Sequence, residues 1–457
     1  MTYTNLCRVR VRPIIAYYSK LYSWWSQPSK EEMLNRVRTY LDYLRDVLQK
    51  ENGIELLEPI VVSSVDDLYD FSLREKIVKN TDILLAINAG LGSQPALIAL
   101  GDLGLPTVIL GLNSLKMKRR HEGFPGPEAL DAYGELRRRN RLVKLAVGIK
   151  DLLSALRELR CLNVLRNARI ISFGTPASYI RDVITPIEYL ERKLGVKIML
   201  IPLEELVEEY DKVSIDIKAG KERMKHIIES AKRIAEFKED YNKALEDGIR
   251  LYLAMKHFIR KYNASAVTID CFGFIDLIYR RNKVLRPPCI ALSLLRDEGI
   301  PAACEADLDA LITMMIMSYI SGRPAFMGNP TYMDLERNIL RISHCTVPIS
   351  IVREFDIASF HETGYGATIK GYFSEGEIVT IARVSKFLNE MVIARGTIVR
   401  SKVEDARECA TRVEIKIKDL SKFAESVVGD HHVLVLGDWL REIQHVCTAL
   451  GIKPIVI

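Results

Sequence analysis

The chain has 457 residues, of which 48% are apolar and 27% charged, and its formal net charge is +6. This length exceeds a single ordinary core, so two or three domains are expected. The small net charge argues against a nucleic-acid partner, and no apolar run reaches the ~18 residues needed to span a bilayer. Because the first residues lack the apolar segment of a secretory leader, the sequence predicts a cytoplasmic protein with no membrane partner.

The first part of the chain alternates helical and strand patterns. Ser29 to Glu32 form a capping box that opens an amphipathic helix. The apolar runs at 81–88 and 106–110 are typical of strands buried on both faces of a parallel sheet. The glycines between them, at 89–94, follow neither a G-x-G-x-x-G nor a Walker pattern, so no nucleotide site is indicated. We predict an α/β domain over residues 1–162.

A second α/β pattern follows, and we assign it to residues 163–335. A long helical region at 218–262 is predicted to break once. Apolar segments typical of buried strands occur at 168–174, 196–201, 264–272 and 288–293. A short strand ends at Cys304 and a helix runs from Asp307 to Ser321, which predicts that Glu305 lies at the carboxyl edge of a sheet, where such folds bind ligands.

After residue 345 the pattern changes to short alternating segments rich in Val, Ile, Thr and Gly, such as 368–372, 378–383 and 411–417. This spacing favours an antiparallel sheet or small barrel, which we assign to residues 336–457. The predicted fold class is therefore α/β, with two Rossmann-like parallel-sheet domains followed by an antiparallel, barrel-like β domain.

The cysteines and the basic runs give no motif of their own. Eight cysteines are scattered singly, without a C-x-x-C pair or zinc-ribbon spacing, and are expected to be buried thiols. The basic runs at 116–120 and 137–141 are interpreted as solvated faces or subunit contacts, with an anion site as the alternative.

One group of polar residues has the composition of a divalent metal site. Glu305, Asn329 and His344 are followed far downstream by the pair His431 and His432, and each is delivered from a different predicted element. Carboxylate, amide and imidazole groups together are suitable ligands for a divalent cation. The alternatives remain open: His344 as a core histidine, the histidine pair as an ordinary strand entry, and Asp307 and Asp309 as helix-capping residues.

At these residues the chain resembles the L-fucose isomerase and L-arabinose isomerase superfamily of aldose-ketose isomerases. The resemblance is strongest from about Ala264 to the end and is weaker over the first 250 residues. The motifs that carry it are Ile269-Asp270-Cys271, Pro288-Cys289, Cys304-Glu305-Ala306-Asp307, His344-Cys345 and His431-His432. It implies two α/β domains followed by an antiparallel domain, Mn²⁺ or another divalent cation, and a homo-oligomer, trimeric or hexameric.

The resemblance also implies roles for individual residues. Glu305 matches the first catalytic carboxylate, which binds the metal and moves a proton between C1 and C2 of the sugar. His344 matches a metal ligand, and one of His431 and His432 matches the C-terminal ligand. We assign the ligand role to His432 and the orientation of substrate to His431. Asn329 falls where the family has its second acidic ligand, which is a departure.

The departure at Asn329 matters because of the chemistry. Proton transfer through a cis-enediol needs a base near the C–H bond and a cation that polarises the sugar oxygens. An amide oxygen can bind a cation but cannot accept and return a proton. Either another acid substitutes or the activity is altered. Glu362, next to His361, is the preferred substitute among Asp307, Asp309, Glu354 and Glu362. Asp270 and His361 are predicted to contact the substrate, with a plain surface loop as the alternative for His361 and Glu362.

The sequence thus predicts a metal-dependent isomerase of a free monosaccharide, such as a pentose or deoxyhexose. A second hypothesis is a non-catalytic sugar-binding protein that kept the fold without the second carboxylate. A third is a metal-dependent enzyme of another reaction type on the same scaffold.

Overall fold

The structure is a computed structural model of the chain. It describes residues 8–18, 29–49, 51, 53–90, 92–111, 126–176, 178–214, 218–403 and 409–457. The chain divides into two compact units, one ending at Val164 and the other running from Leu165 to Ile457. The basic run at 116–120 lies outside the described residues.

The first unit is built on a parallel sheet with strand order β2-β1-β4-β5-β6, and β3 pairs with the second half of β1. Every residue of β4 is buried, as expected for a strand covered on both faces. The strands are β1 Val9–Ala16, β2 Ile54–Leu56, β3 Ile60–Val62, β4 Ile83–Asn88, β5 Thr107–Gly111 and β6 Val143–Ala146. The helices are α1 Lys30–Leu48, α2 Phe71–Val78, α3 Gln94–Gly101, α4 Pro127–Arg138 and α5 Ile149–Arg166, with a 3-10 turn at Val65–Tyr69.

Two local predictions for this unit can be compared with the structure. The capping box is present, since Ser29 Oγ accepts a hydrogen bond from the Glu32 amide and the Glu32 carboxylate accepts one from the Ser29 amide. The basic run at 137–141 ends α4, and its arginines form ion pairs with Glu135 and Asp102 at the surface.

The second unit contains a four-stranded parallel sheet with strand order β11-β10-β7-β8. Its strands are β7 Arg169–Phe173, β8 Lys197–Ile201, β10 Ala266–Ile269 and β11 Ala302–Ala303. Its helices are α6 Ser178–Arg181, α7 Ile187–Leu194, α8 Leu203–Lys212, α9 Lys218–Ser230, α10 Tyr241–Tyr262, α11 Cys271–Asn282, α12 Cys289–Asp297 and α13 Leu308–Ser321. The long helical region breaks once, as predicted, at the short strand β9 Arg233–Ile234.

The strand predicted at 288–293 is wrong, because these residues open helix α12. Pro288 is the N-cap and all residues from Cys289 to Arg296 are buried. A short apolar run that is buried on every side has no periodicity to distinguish a helix from a strand.

The rest of the second unit is a closed antiparallel barrel, which confirms the predicted fold class. Six strands pair in the order β16-β19-β12-β13-β18-β17, and β16 pairs with β17 to close the ring, while β20 adds to β17 in parallel. These strands are β12 Phe326–Asp334, β13 Ile339–His344, β16 Ile378–Val384, β17 Glu390–Arg400, β18 Thr411–Ile417, β19 His432–Leu436 and β20 Lys453–Val456. A small sheet of β15 Ala367–Tyr372, β14 Glu354–Ser359 and β9, and helices α14 Leu420–Glu425 and α15 Leu440–Ala449, complete the unit.

The buried helix α13 determines where Glu305 lies. All of its residues from Leu308 to Ile320 are buried, and it contacts both β10 and β11 of the parallel sheet and β16 and β19 of the barrel. A helix that is apolar on every side requires such enclosure. Glu305, just before α13, is thereby held where the parallel sheet meets the barrel.

The division into three domains stays a prediction. Strand β12, which carries Asn329 and precedes the boundary predicted at residue 335, pairs with strands of the barrel. No helix in the described ranges is long and apolar enough to cross a membrane.

Candidate active site

A cavity of about 220 Å³ lies where β10, β11 and β13 end. Four of the residues predicted for the site line it, namely Glu305, Asn329, His344 and His361. Apolar side chains and cysteines form the rest of its wall, which includes no lysine or arginine among the described residues. The cavity therefore combines a few converging polar groups with an otherwise uncharged lining, as small-molecule sites usually do.

Glu305 enters the cavity from a strained backbone. Glu305 and Ala306 have φ values of 58° and 52°, in the left-handed region that residues with a Cβ rarely occupy. Such a conformation costs on the order of 1–3 kcal/mol for each residue and persists where the surrounding structure imposes it. The Asp307 N-cap of α13 and the Ala306 amide bond to Ile269 O hold this turn in place.

Two side chains reach the Glu305 carboxylate from different elements. Tyr179 Oη, on α6, donates a hydrogen bond of 3.0 Å to Glu305 Oε2. Glu305 Oε1 lies 3.7 Å from Nε2 of His431, which is fully buried. The carboxylate raises the pKa of Tyr179, but burial raises it more. Tyr179 is therefore a neutral donor to Glu305 at ordinary pH.

His431 is held by a buried ion pair. Its Nδ1 lies 3.0 Å from Asp307 Oδ2, and Arg383 Nη1 donates to the same oxygen over 2.7 Å. Burial lowers the pKa of His431, but its hydrogen bond with Asp307 and the nearby Glu305 carboxylate outweigh burial and raise this pKa to about 10. Nε2 of His431 has no hydrogen-bond partner among the described residues. The ring is thus fixed through Nδ1, with Nε2 directed at the Glu305 carboxylate.

Asn329 and His344 occupy adjacent strands of the barrel on the same cavity. Asn329 Oδ1 is buried and finds no hydrogen-bond partner in the described part of the chain. His344 Nδ1 lies 2.8 Å from the Thr346 hydroxyl, and its ring meets that of His431 edge to face with centroids 5.6 Å apart. Burial and, to a lesser extent, the charge of His431 lower the pKa of His344 to about 3. His344 is therefore neutral, which is the form that binds metals.

His361 lines the same cavity from a 3-10 turn at Phe360–Glu362. Its φ of 47° is left-handed, its ring packs on Phe360 with centroids 4.3 Å apart, and its Nε2 lies 3.6 Å from Cys409 Sγ.

Three other residues predicted for the site are engaged elsewhere. His432 packs on Phe423 and its Nδ1 lies 2.9 Å from Asp430 O. Asp270 caps α11 by accepting a hydrogen bond from the Gly273 amide, and Glu362 forms an ion pair with Arg412. None of the three is among the described residues that line the Glu305 cavity. Their predicted roles in catalysis, substrate binding and metal binding stay predictions.

Sequence reasoning missed Tyr179 and the convergence of the cysteines. Tyr179 lies in a short helix of four residues without a recognisable motif. Asp307 was expected to cap a helix; its Oδ1 does accept from the Ala310 amide, while Oδ2 holds His431. The sequence feature that could have indicated the contact between Asp307 and His431 is the aspartate of the Cys304-Glu305-Ala306-Asp307 motif.

No family model matches the chain. A sulfoquinovose isomerase from Clostridium sp. (strain MSTE9) is 25% identical over 202 residues, covering 42% of this chain and 43% of the relative. A sulfoquinovose isomerase from Alkalicoccus urumqiensis is 27% identical over 205 residues, covering 42% of this chain and 44% of the relative. The chain thus spans less than half the length of these curated relatives.

The similarity to solved structures is slight. A solute-binding protein of an ABC transporter from Burkholderia multivorans is 10% identical, with a TM-score of 0.18, and the match covers 69% of this chain and 95% of that chain. A TM-score this low supports no conclusion about fold or function.

Proposed function

We propose that the protein is a metal-dependent aldose-ketose isomerase that acts on a free monosaccharide through a cis-enediol. The observation that carries the proposal is the Glu305 carboxylate, held in a strained turn at a cavity and 3.7 Å from the buried His431. The similarity to two sulfoquinovose isomerases supports the same reaction class. A relationship to the L-fucose and L-arabinose isomerase superfamily, a cytoplasmic location and a trimeric or hexameric assembly belong to the same proposal.

The residues present fit a divalent cation. Asn329 Oδ1 is a buried oxygen without a partner among the described residues, His344 is neutral, and Glu305 supplies a carboxylate. These oxygen and nitrogen donors suit Mn²⁺ or a similar ion, which would polarise the carbonyl and hydroxyl oxygens of the sugar. We assign the metal to Glu305, Asn329 and His344, and leave His432 out because it packs on Phe423.

The protein side chains divide the remaining work. Glu305 takes the proton from one carbon of the sugar and returns it to the next. Tyr179 positions the carboxylate through its hydrogen bond to Oε2. His431 donates from Nε2 to a sugar oxygen, with its orientation fixed by Asp307. Asn329 contributes an oxygen ligand and no proton transfer.

The cavity favours a neutral sugar. A sulfonate, the group that the relatives' named substrate carries, needs cationic or strong hydrogen-bond donors to replace its water shell. No lysine or arginine is among the described residues that line the cavity. We propose a neutral substrate such as a pentose or a deoxyhexose, and the substrate panel below compares it with sulfoquinovose.

The test is turnover of a panel of neutral aldoses and of sulfoquinovose by the full chain, with and without added Mn²⁺. We expect ketose formation from a neutral aldose only with a divalent cation, and at least a thousandfold lower rate in Glu305→Gln. Glu425→Gln, at an exposed carboxylate of α14, is the matched control and should behave as the wild type. Metal-independent turnover, or an unchanged rate in Glu305→Gln, would contradict the proposal.

Asn329 supports one competing function, a sugar-binding protein without activity, because the amide cannot move a proton. Under that hypothesis the wild type binds a sugar without converting it, and Asn329→Asp gains isomerase activity. Under the isomerase proposal the wild type is active, and Asn329→Asp changes metal affinity more than it changes kcat.

A further inference from the structure

Five of the eight cysteines of the sequence converge on the cavity, although they are far apart along the chain. They are Cys271, Cys289, Cys304, Cys345 and Cys409, and none of them forms a disulfide. Cysteines distributed over a surface or through a hydrophobic core are not expected to cluster at one cavity. Two subsets have the spacing of metal ligands, one of which is Cys345, His361 and Cys409.

These three residues come together from separate elements. Cys345 follows β13 and Cys409 shortly precedes β18, and the antiparallel pairing of His344 with Thr411 brings the two strand ends side by side. His361 projects from its 3-10 turn toward Cys409. The ion pair between Glu362 and Arg412 Nη2, at 2.9 Å, ties that turn to β18.

The geometry matches a tetrahedral soft-metal site. The two sulfur atoms and the imidazole nitrogen all lie within 4.8 Å of one another, and His361 Nε2 lies 3.6 Å from Cys409 Sγ. A thiolate at ~2.3 Å and an imidazole nitrogen at ~2.0 Å from a tetrahedral zinc ion are separated by roughly 3.5 Å. The ligand atoms are therefore already near the positions they would take around the ion.

We propose that Cys345, His361 and Cys409 form a Zn²⁺ site in the cavity wall, with a fourth coordination position facing the cavity. Two thiolates and an imidazole select a borderline-soft ion such as Zn²⁺ over Mn²⁺. Binding releases the two thiol protons to solvent. The exposed side of His361 gives the ion a path from solvent.

This site is separate from the proposed catalytic metal. The catalytic ion is assigned to Glu305, Asn329 and His344, which share no ligand with the thiolate site. The zinc proposal does not rest on the isomerase proposal, and either one can fail while the other holds.

The test is Co²⁺ substitution in the full chain under a phosphine reductant, read by absorption. At the thiolate site the wild type is expected to bind Co²⁺ with a thiolate-to-cobalt charge-transfer band and the intense d–d bands of tetrahedral coordination, both lost on adding one equivalent of Zn²⁺. Cys345→Ser and Cys409→Ser should lose the charge-transfer band or bind Co²⁺ at least roughly tenfold more weakly, since even outer-shell changes weaken metal binding by that factor.

Two controls separate this result from other causes. Cys447→Ser, at a buried thiol beside Met391, and Glu305→Gln should both keep the wild-type spectrum. If Cys345→Ser does not fold, the half-buried Cys409 and the exposed His361 carry the test through Cys409→Ser and His361→Ala. A wild type without a charge-transfer band, a Cys345–Cys409 disulfide that resists the reductant, or a Cys409→Ser spectrum equal to that of the wild type would overturn the proposal.

Discussion

Among the described residues, Tyr179 is the only exposed side chain that forms a hydrogen bond with the Glu305 carboxylate. Its ring also packs edge to face on Phe272, with centroids 6.2 Å apart. Removing the hydroxyl would leave that packing in place and free the carboxylate to rotate. Tyr179 therefore acts on Glu305 by positioning it.

For Tyr179→Phe we predict a loss of roughly tenfold in kcat, corresponding to about 1.4 kcal/mol, with little change in KM. The melting temperature should stay nearly unchanged because the packing of the ring on Phe272 is retained. Steady-state kinetics and thermal unfolding measure both. Tyr365→Phe, at another exposed tyrosine, is the control and should be neutral; an equal fall in both variants would refute a specific role.

Asp309 is a buried carboxylate whose Oδ2 accepts a hydrogen bond from the Thr185 amide. Burial raises its pKa to about 6, with Arg383 opposing and Asp307 adding to the increase. A raised pKa in the folded state means that the protonated form favours folding. The stabilisation is complete below the ordinary value and is lost as the pH rises through about 6.

Asp309→Asn should therefore be more stable relative to the wild type at pH 8 than at pH 4, by about 3 kcal/mol for a shift of this size. The asparagine keeps an oxygen for the Thr185 amide. Urea unfolding across this pH range measures the difference. Asp276→Asn, at an exposed aspartate, should show a flat difference, and a flat result for Asp309→Asn would exclude a buried ionising carboxyl.

At the scale of elements, Arg383 of β16 joins three parts of the second unit. It donates to Asp307 at the start of α13 and to the backbone oxygen of His431 just before β19. The side chains of Arg383 and Asp307 are each only 2% exposed. Removal of one partner leaves the other charge buried without compensation.

We predict that Arg383→Met lowers the free energy of unfolding by about 3–5 kcal/mol, as expected for a broken buried pair. Arg395→Met, which breaks a half-exposed pair with Asp438, should lower it by less than about 1 kcal/mol. Urea titrations of both variants test the contrast. Equal losses would mean that the Arg383 pair does not stabilise the barrel against α13.

The sequence allowed some elements to be predicted and not others, for physical reasons. Helix α13 and its Asp307 cap follow from local patterns that do not depend on the rest of the chain. Sequence could not decide between His431 and His432, because neighbouring residues at a strand start point to opposite faces. The cluster of Cys345, His361 and Cys409 depends on the pairing of β13 with β18, which no spacing along the chain reveals.

At the scale of the whole molecule, the predicted class of two parallel α/β sheets and an antiparallel barrel is confirmed. The packing of α13 against β19 brings distant segments together, so that His431 comes next to Glu305. The cavity is thus a product of tertiary closure around α13. The described residues that line the cavity come from α11, α12, β12, β13, the 3-10 turn at Phe360–Glu362 and the segments between elements.

Proton exchange at the sugar carbons shows directly whether Glu305 transfers the proton. With Mn²⁺ in D₂O, NMR of a neutral aldose substrate should show deuterium at C1 of the ketose that forms and at C2 of the aldose that re-forms, because Glu305 exchanges the proton it removes with solvent. Glu305→Gln should show neither deuterium incorporation nor ketose at the same metal concentration. Ketose formation by Glu305→Gln at the wild-type rate, or no ketose formation by the wild type with any divalent ion, would contradict proton transfer by Glu305 in a metal-dependent isomerase.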